Sequence, residues 1–145
     1  MINKAILVGH LGSDPEVSET DSGHAYARFS LATSEAWKDK QSGERRERTE
    51  WHRVVCWGDS LRKICHDYLK KGSKVFVQGK ICTRSYEKDG VKRYATEIVI
   101  QGPMSMLKLL DRRDGSGVPA PHPDDYGSGD SYSSNQNVSS EMGMF

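Results

Sequence analysis

An all-β, five-stranded barrel with a single helix between the third and fourth strands is the fold the sequence predicts, on three observations. Five segments between residues 3 and 100 carry β-branched or alternating apolar patterning. One window, residues 61–69, carries apolar residues at helical spacing instead. An Asp-Gly pair, Asp89 and Gly90, stands between the last two strand segments, where a two-residue hairpin turn needs it.

The first strand is "NKAILVGHL", residues 3–11, which Gly12 to Pro15 ends. It is apolar on both faces, Ala5 and Leu7 against Ile6 and Val8, so a lone barrel would leave one set exposed. Asp14, Glu16, Glu19 and Asp21 follow in a turn-rich loop and read as solvated acidic surface. In "AYARFSLATS" Ala25, Ala27, Phe29 and Leu31 point inward and Tyr26, Arg28 and Ser30 outward. Residues 38–50, "KDKQSGERRERTE", are too polar and too long for a tight turn and read as a mobile finger.

The third strand, "TEWHRVVCWGDS", residues 49–60, places Trp51, Arg53, Val55 and Trp57 on one face and His52, Val54 and Cys56 on the other. Either the tryptophans are core with Arg53 snorkelling past them, or that face is a binding surface. Asp59 or Ser60 caps a helix whose stripe is Leu61, Ile64, Cys65, Tyr68 and Leu69 and which Gly72 ends. The fourth strand, "SKVFVQGKICTRSY", turns Val75, Val77, Ile81 and Thr83 one way and Phe76, Lys80, Arg84 and Tyr86 the other. "KRYATEIVI" returns as the fifth. Three strands, a helix and two strands in about 110 residues is the order of the OB-fold, a Greek-key barrel that often binds oligonucleotides or oligosaccharides.

The 145 residues suit one domain, 1–113, and a tail, 114–145. All 21 Lys and Arg lie at or before Arg113 with 15 of the 20 acids, a net +6, whereas five acids and no Lys or Arg follow. The body is therefore suited to a polyanion. The tail is rich in Gly, Ser, Pro, Asp and Asn, has no Leu or Ile, and is expected to be disordered. Its tip, with Glu141, Met142, Met144 and Phe145, resembles a docking peptide. Cys56, Cys65 and Cys82 form no even set and no zinc spacing, so free thiols, no metal and no cofactor are expected, in a cytoplasmic, nucleoid-associated protein with no membrane segment.

No phosphate-binding glycine loop, nucleophile elbow or zinc-protease motif is present, which argues against an enzyme; a nuclease on the same barrel is the alternative of that class. Trp37, Trp51, Trp57 and Tyr86 are instead interleaved with Arg28, Arg53, Lys80 and Arg84. Single-stranded nucleic acid calls for this mixture, since bases stack on aromatic rings and phosphates follow a positive groove. An RNA-binding module of the same fold is the other alternative.

Five blocks in order, "MINKAILVGHLGSDPEV", "FSLATSEAW", "TEWHRVVCWG", "YLKKGSKVFVQGK" and "TRSYEKDGVKRYATEIV", make residues 1–113 resemble the bacterial single-stranded DNA-binding proteins of the replication type. The resemblance implies an OB-fold homotetramer that binds single-stranded DNA in replication, recombination and repair and recruits other proteins through its tail tip. It implies stacking by Trp37, Trp51, Trp57 and Tyr86, with Trp57 where Phe is frequent and Tyr86 where Trp is. It implies backbone contacts from Arg53, Lys71 and Arg84, while Asp59, Cys82 and Ser85 stand where relatives often carry a basic residue. His52 falls at a subunit-interface position, a satisfied core histidine being the alternative. The ending "SSEMGMF" keeps Glu141 and Phe145 but lacks the family's acidic run and Ile-Pro-Phe ending.

Overall fold

The computed structural model describes residues 1–111. Its strands are β1 (Ala5–Leu11), β2 (Glu16–Glu19), β3 (Ala25–Lys38), β4 (Arg45–Trp57), β5 (Lys74–Lys88), β6 (Val91–Ile100) and β7 (Met106–Leu109), with helix α1 (Asp59–Tyr68) between β4 and β5. Around the sheet the order is β1-β3-β4-β6-β5, and β1 pairs again with β5, which closes a five-stranded barrel of the predicted OB type. Only β4 and β6 run parallel among the described strands.

Closure depends on two glycines where strands change partners. β1 takes up β3 just after Gly9, at His10, which pairs with Ala32 of β3 and with Lys74 of β5, and a Cβ at Gly9 would stand 2.1 Å from the Ala32 carbonyl oxygen. β5 leaves β1 at Gly79 and pairs with β6 from Lys80, and a Cβ at Gly79 would stand 2.5 Å from the Val99 carbonyl oxygen. Such bends at a barrel corner need a residue without a side chain. Asn3 extends the β1–β5 pairing past this point: its amide donates to the Ile81 carbonyl and accepts the Ile81 N–H, each at 2.9 Å.

The inward alternation of β3 holds, for Ala25, Ala27, Phe29 and Leu31 are all buried. Ala27, Phe29 and Leu31 pack with Leu11, Val54, Cys56, Val75, Val77, Ile98 and Ile100, so Phe29 is the single aromatic ring of the core among the described residues. Cys65 and Leu69 carry α1 into that core. The Cys56 thiol is pushed far up by its hydrogen bond with Cys65 and by burial, which keeps it protonated and unreactive at neutral pH.

Several local expectations are corrected. Ile64 and Tyr68 of the helical stripe are exposed, because α1 covers one end of the barrel with only a narrow edge. Gly58, not Asp59 or Ser60, is the N-cap; the Asp59 carboxylate pairs with Arg62 at 3.4 Å. The helix stops at Tyr68, ahead of Gly72. Residues 16–19 are not loop but β2, laid against the start of β3. β7, not expected as a strand from the sequence, pairs with β5. Ile81 is exposed although Val75 and Val77 are buried, since β5 has left the barrel by then.

The expected finger is a two-stranded ribbon, paired without a break from Tyr26↔Trp57 to Lys38↔Arg45. Its turn is organised by Asp39, which accepts the Gln41 N–H at 2.8 Å and pairs with Arg46 at 3.1 Å. The Gln41 N–H, helped by Arg46, holds the Asp39 carboxyl below the usual range. The β5–β6 ribbon ends as predicted in a tight turn, with Asp89 at φ 54° and Gly90 at φ 73°.

Gly9→Ala and Gly79→Ala are each expected to destabilise the barrel by about 1 to 3 kcal/mol, because the contacted atom is backbone and cannot yield as a side-chain end would. Thermal unfolding should show a lowered Tm for both; an unchanged Tm would mean that closure does not need these close approaches.

Candidate nucleic-acid interface

Residues directly opposite in a sheet share a face, so the outer surface is legible from the register. One row runs Glu16, Arg28, Val55, Val99, Lys80 across β2, β3, β4, β6 and β5. Beside it Ser30 stands opposite Arg53. On the β5–β6 ribbon the same face continues with Cys82 opposite Glu97, Arg84 opposite Ala95 and Tyr86 opposite Arg93. Trp57 with Tyr26, and Trp51 with Ala32, bound this face along β4.

The face is concave. A cleft of about 510 Å³ is lined by Arg28, Arg53, Arg84, Tyr86, Glu16 and Glu97 among others. A neighbouring hollow of about 340 Å³ shares Arg53 and Tyr86 and adds Trp51 and Tyr94. Two arginines of the cleft are occupied: Arg28 Nε meets Glu16 Oε2 at 2.5 Å and Arg84 Nε meets Glu97 Oε1 at 3.0 Å. The Glu16 hydrogen bond raises the already high pKa of Arg28. Arg53 has no ion pair among the described residues.

The aromatic rings differ in how free they are. Trp51 is 61% exposed. Its ring lies on Gly12, where a Cβ would stand 2.3 Å from the ring carbon Cζ3. Gly12 is itself held by its N–H on the Ser30 carbonyl at 3.0 Å. Trp57 is half-buried, tilted 46° against Tyr26 with ring centroids 5.3 Å apart. The Arg84 guanidinium lies 5.7 Å from the Tyr86 ring centroid. Gly12, Tyr26, Tyr94, Glu16 and Glu97 were not singled out from sequence as parts of this surface; a turn glycine and two carboxylates have no aromatic or basic signature.

Not every expected residue converges here. Trp37 is exposed, but it pairs with Arg46 in the row of Glu35 and Arg48, on the face of the β3–β4 ribbon opposite Trp51. Lys80 joins the surface through its row without lining the cleft. Lys71 lies in the turn before β5, its backbone N–H bonded to Asp14 at 2.7 Å, outside the cleft lining. His52 is on the other face of β4, half-buried, with Nε2 at 2.8 Å from the Thr33 hydroxyl. Ile6 and Val8 are 57% and 46% exposed on β1, facing the same way as Gln78 and Phe76 of β5. Glu141 and Phe145 lie outside the described residues. No group of three or more His, Cys, Asp or Glu among the described residues is placed to hold a metal ion, and no described helix is long and apolar enough to cross a membrane.

Comparison with known proteins bears on what such a surface is for. The single-stranded DNA-binding protein of Rhizobium meliloti (strain 1021) is 46% identical over 130 residues, which cover 88% of this chain and 75% of that protein. The solved Plasmodium falciparum SSB complex with ssDNA superposes with a TM-score of 0.69 at 34% identity, over 77% of this chain and 97% of that one. The sequence profile of the Single-strand binding protein family matches residues 2–107, a span that takes in the closed barrel, both ribbons and the cleft between them. The chain belongs to the single-strand binding protein family.

Proposed function

We propose that the protein binds single-stranded DNA, without sequence preference and without catalysis, across the outer face of β3, β4, β5 and β6. The observation that carries this reading is the shared cleft wall, where unpaired Arg53 and Tyr86 line both hollows and the exposed Trp51 ring lines the second with them. Rings offer stacking to any base and a guanidinium offers charge to any phosphate, so neither contact asks for a sequence. Arg53, Lys80 and Arg93 are cations of the face with no ion pair among the described residues, Lys71 is one beyond it, and Arg84 and Tyr86 line the cleft with Arg53. Trp57 presents the outer side of its pair with Tyr26. Trp37 serves a strand that has passed around the ribbon edge.

The same reading includes self-association. Ile6 and Val8 expose an apolar stripe on β1, away from the cleft, which Phe76 and Met106 broaden. A second copy of the chain is the occupant that fits, in a homotetramer, with His52 contributing from its own side of β4. Roles in replication, recombination and repair follow from holding single strands. Recruitment of replication and repair proteins is assigned to the tail tip, through Glu141 and Phe145.

Three measurements test this function. Saturation with poly-dT should quench tryptophan fluorescence, and Trp51→Ala should weaken binding by about 1 to 3 kcal/mol. Gly12→Ala should weaken it in the same direction by unseating the ring; unchanged emission would exclude stacking, and tighter binding to a matched RNA would favour the RNA-binding alternative. Log K should fall with log salt, and Arg53→Ala should flatten the slope by about 0.7, the share of one phosphate on a single strand. Light scattering should give a tetramer mass that Ile6→Glu reduces; a monomer mass for the unaltered chain would contradict the association.

A further inference from the structure

We propose that Arg84 is a positioning residue for the stacking surface rather than a phosphate ligand, and that Glu97 is the anchor that makes it so. The proposal rests on the single-stranded DNA reading above and divides labour within it. On β5 Arg84 stands opposite Ala95, which is buried and too small to fill the space before it. The guanidinium therefore leans to its diagonal neighbour and donates Nε–H to Glu97 Oε1 at 3.0 Å.

The two ion pairs of the cleft, Arg28–Glu16 and Arg84–Glu97, differ in what their release would cost. The Glu16 side chain is 67% exposed, so a phosphate that takes Arg28 returns Glu16 to water. Glu97 is 13% exposed. A phosphate that drew Arg84 away would leave a largely buried carboxylate with Arg28, itself paired with Glu16, as its remaining neighbouring cation, and removing one partner of such a pair costs more than the pair itself contributes. Phosphate exchange thus favours Arg28 and leaves Arg84 with Glu97.

What Arg84 holds while it stays there is the Tyr86 ring, two residues along the same face and 5.7 Å from the guanidinium carbon, within the range of a cation–π contact. Glu97, Arg84 and Tyr86 form a chain from a fixed carboxylate to a ring, and it sets the ring's angle to the cleft. A planar guanidinium can meet a carboxylate and an aromatic face at once; an ammonium at that position cannot do both in the same geometry.

The test uses the full chain and two probes of equal length, a dT oligonucleotide and a base-free abasic oligonucleotide, and reads the affinity ratio between them together with the salt slope. Arg84→Ala, Arg84→Lys and Glu97→Gln are each expected to lower the ratio roughly tenfold, about 1.4 kcal/mol, while Arg84→Ala and Arg84→Lys leave the salt slope unaltered. Arg84→Lys, an exposed change that keeps the charge, retains the test if Glu97→Gln fails to fold. The proposal is overturned if Arg84→Ala flattens the slope as Arg53→Ala does, if Arg84→Lys keeps the affinity ratio of the unaltered protein, or if Glu97→Gln leaves the ratio unchanged or raises it. A ratio near one for the unaltered protein would instead overturn the stacking reading itself.

Discussion

Closure of β1 onto both β3 and β5 is the constraint on which everything else in this molecule rests. One short strand has to hydrogen-bond to two partners in turn, and two backbone approaches too close for any side chain, at Gly9 and Gly79, let it do so. Because the ring closes early along the long strands, their remainders have nowhere to go but outward. β3 and β4 continue as one ribbon and β5 and β6 as another. The cleft is the space between a closed barrel wall and a ribbon that closure has expelled, so its shape is a by-product of barrel geometry rather than of the residues lining it.

Those lining residues face a separate problem. Three arginines on one concave face repel each other in the free protein, and burying their stems without counter-charge is unfavourable. Glu16 and Glu97 relieve this from opposite walls, one from the short β2 and one from β6. The residue left without a carboxylate, Arg53, sits between them on the central strand, where charge for an incoming polyanion is best placed. A basic surface is thus kept folded by carboxylates while a minority of its cations stay free, which is consistent with a body of only +6 net charge up to Arg113.

How much of this could be read in the sequence follows from how local each signal is. The strict alternation of Ala25, Ala27, Phe29 and Leu31 and the Asp89-Gly90 turn announced their elements because strand period and turn chemistry are written within a few residues. Residues 38–50 read as a mobile finger because neither face of the outer ribbon is buried, so its composition carries no period; pairing alone keeps Arg45 to Glu50 in strand. Ile64 and Tyr68 fit a helical stripe, yet how wide an edge the barrel offers α1 is a tertiary fact. Of the site, the rings and cations were visible as residue types. Gly12 under Trp51 and Glu97 beside Arg84 were not, since each acts only on a neighbour that the fold supplies.

The placement of the two ribbon tryptophans carries the geometry one step further. Trp51 stands opposite Ala32 and Trp37 lies five residues beyond Ala32 on the same strand. An odd separation on a pleated strand puts the two indoles on opposite faces. Neither indole is shielded by the barrel, both being exposed. A ligand confined to the cleft side could meet only Trp51; one that meets both has to turn around the ribbon's edge. The cross-strand partners of that region, Glu35 with Arg48 and Lys38 with Arg45, place basic side chains on each face. A ribbon with one ring and some positive charge on either side is suited to a polymer passing from one face to the other, and a single pocket-bound ligand would make no use of its far side.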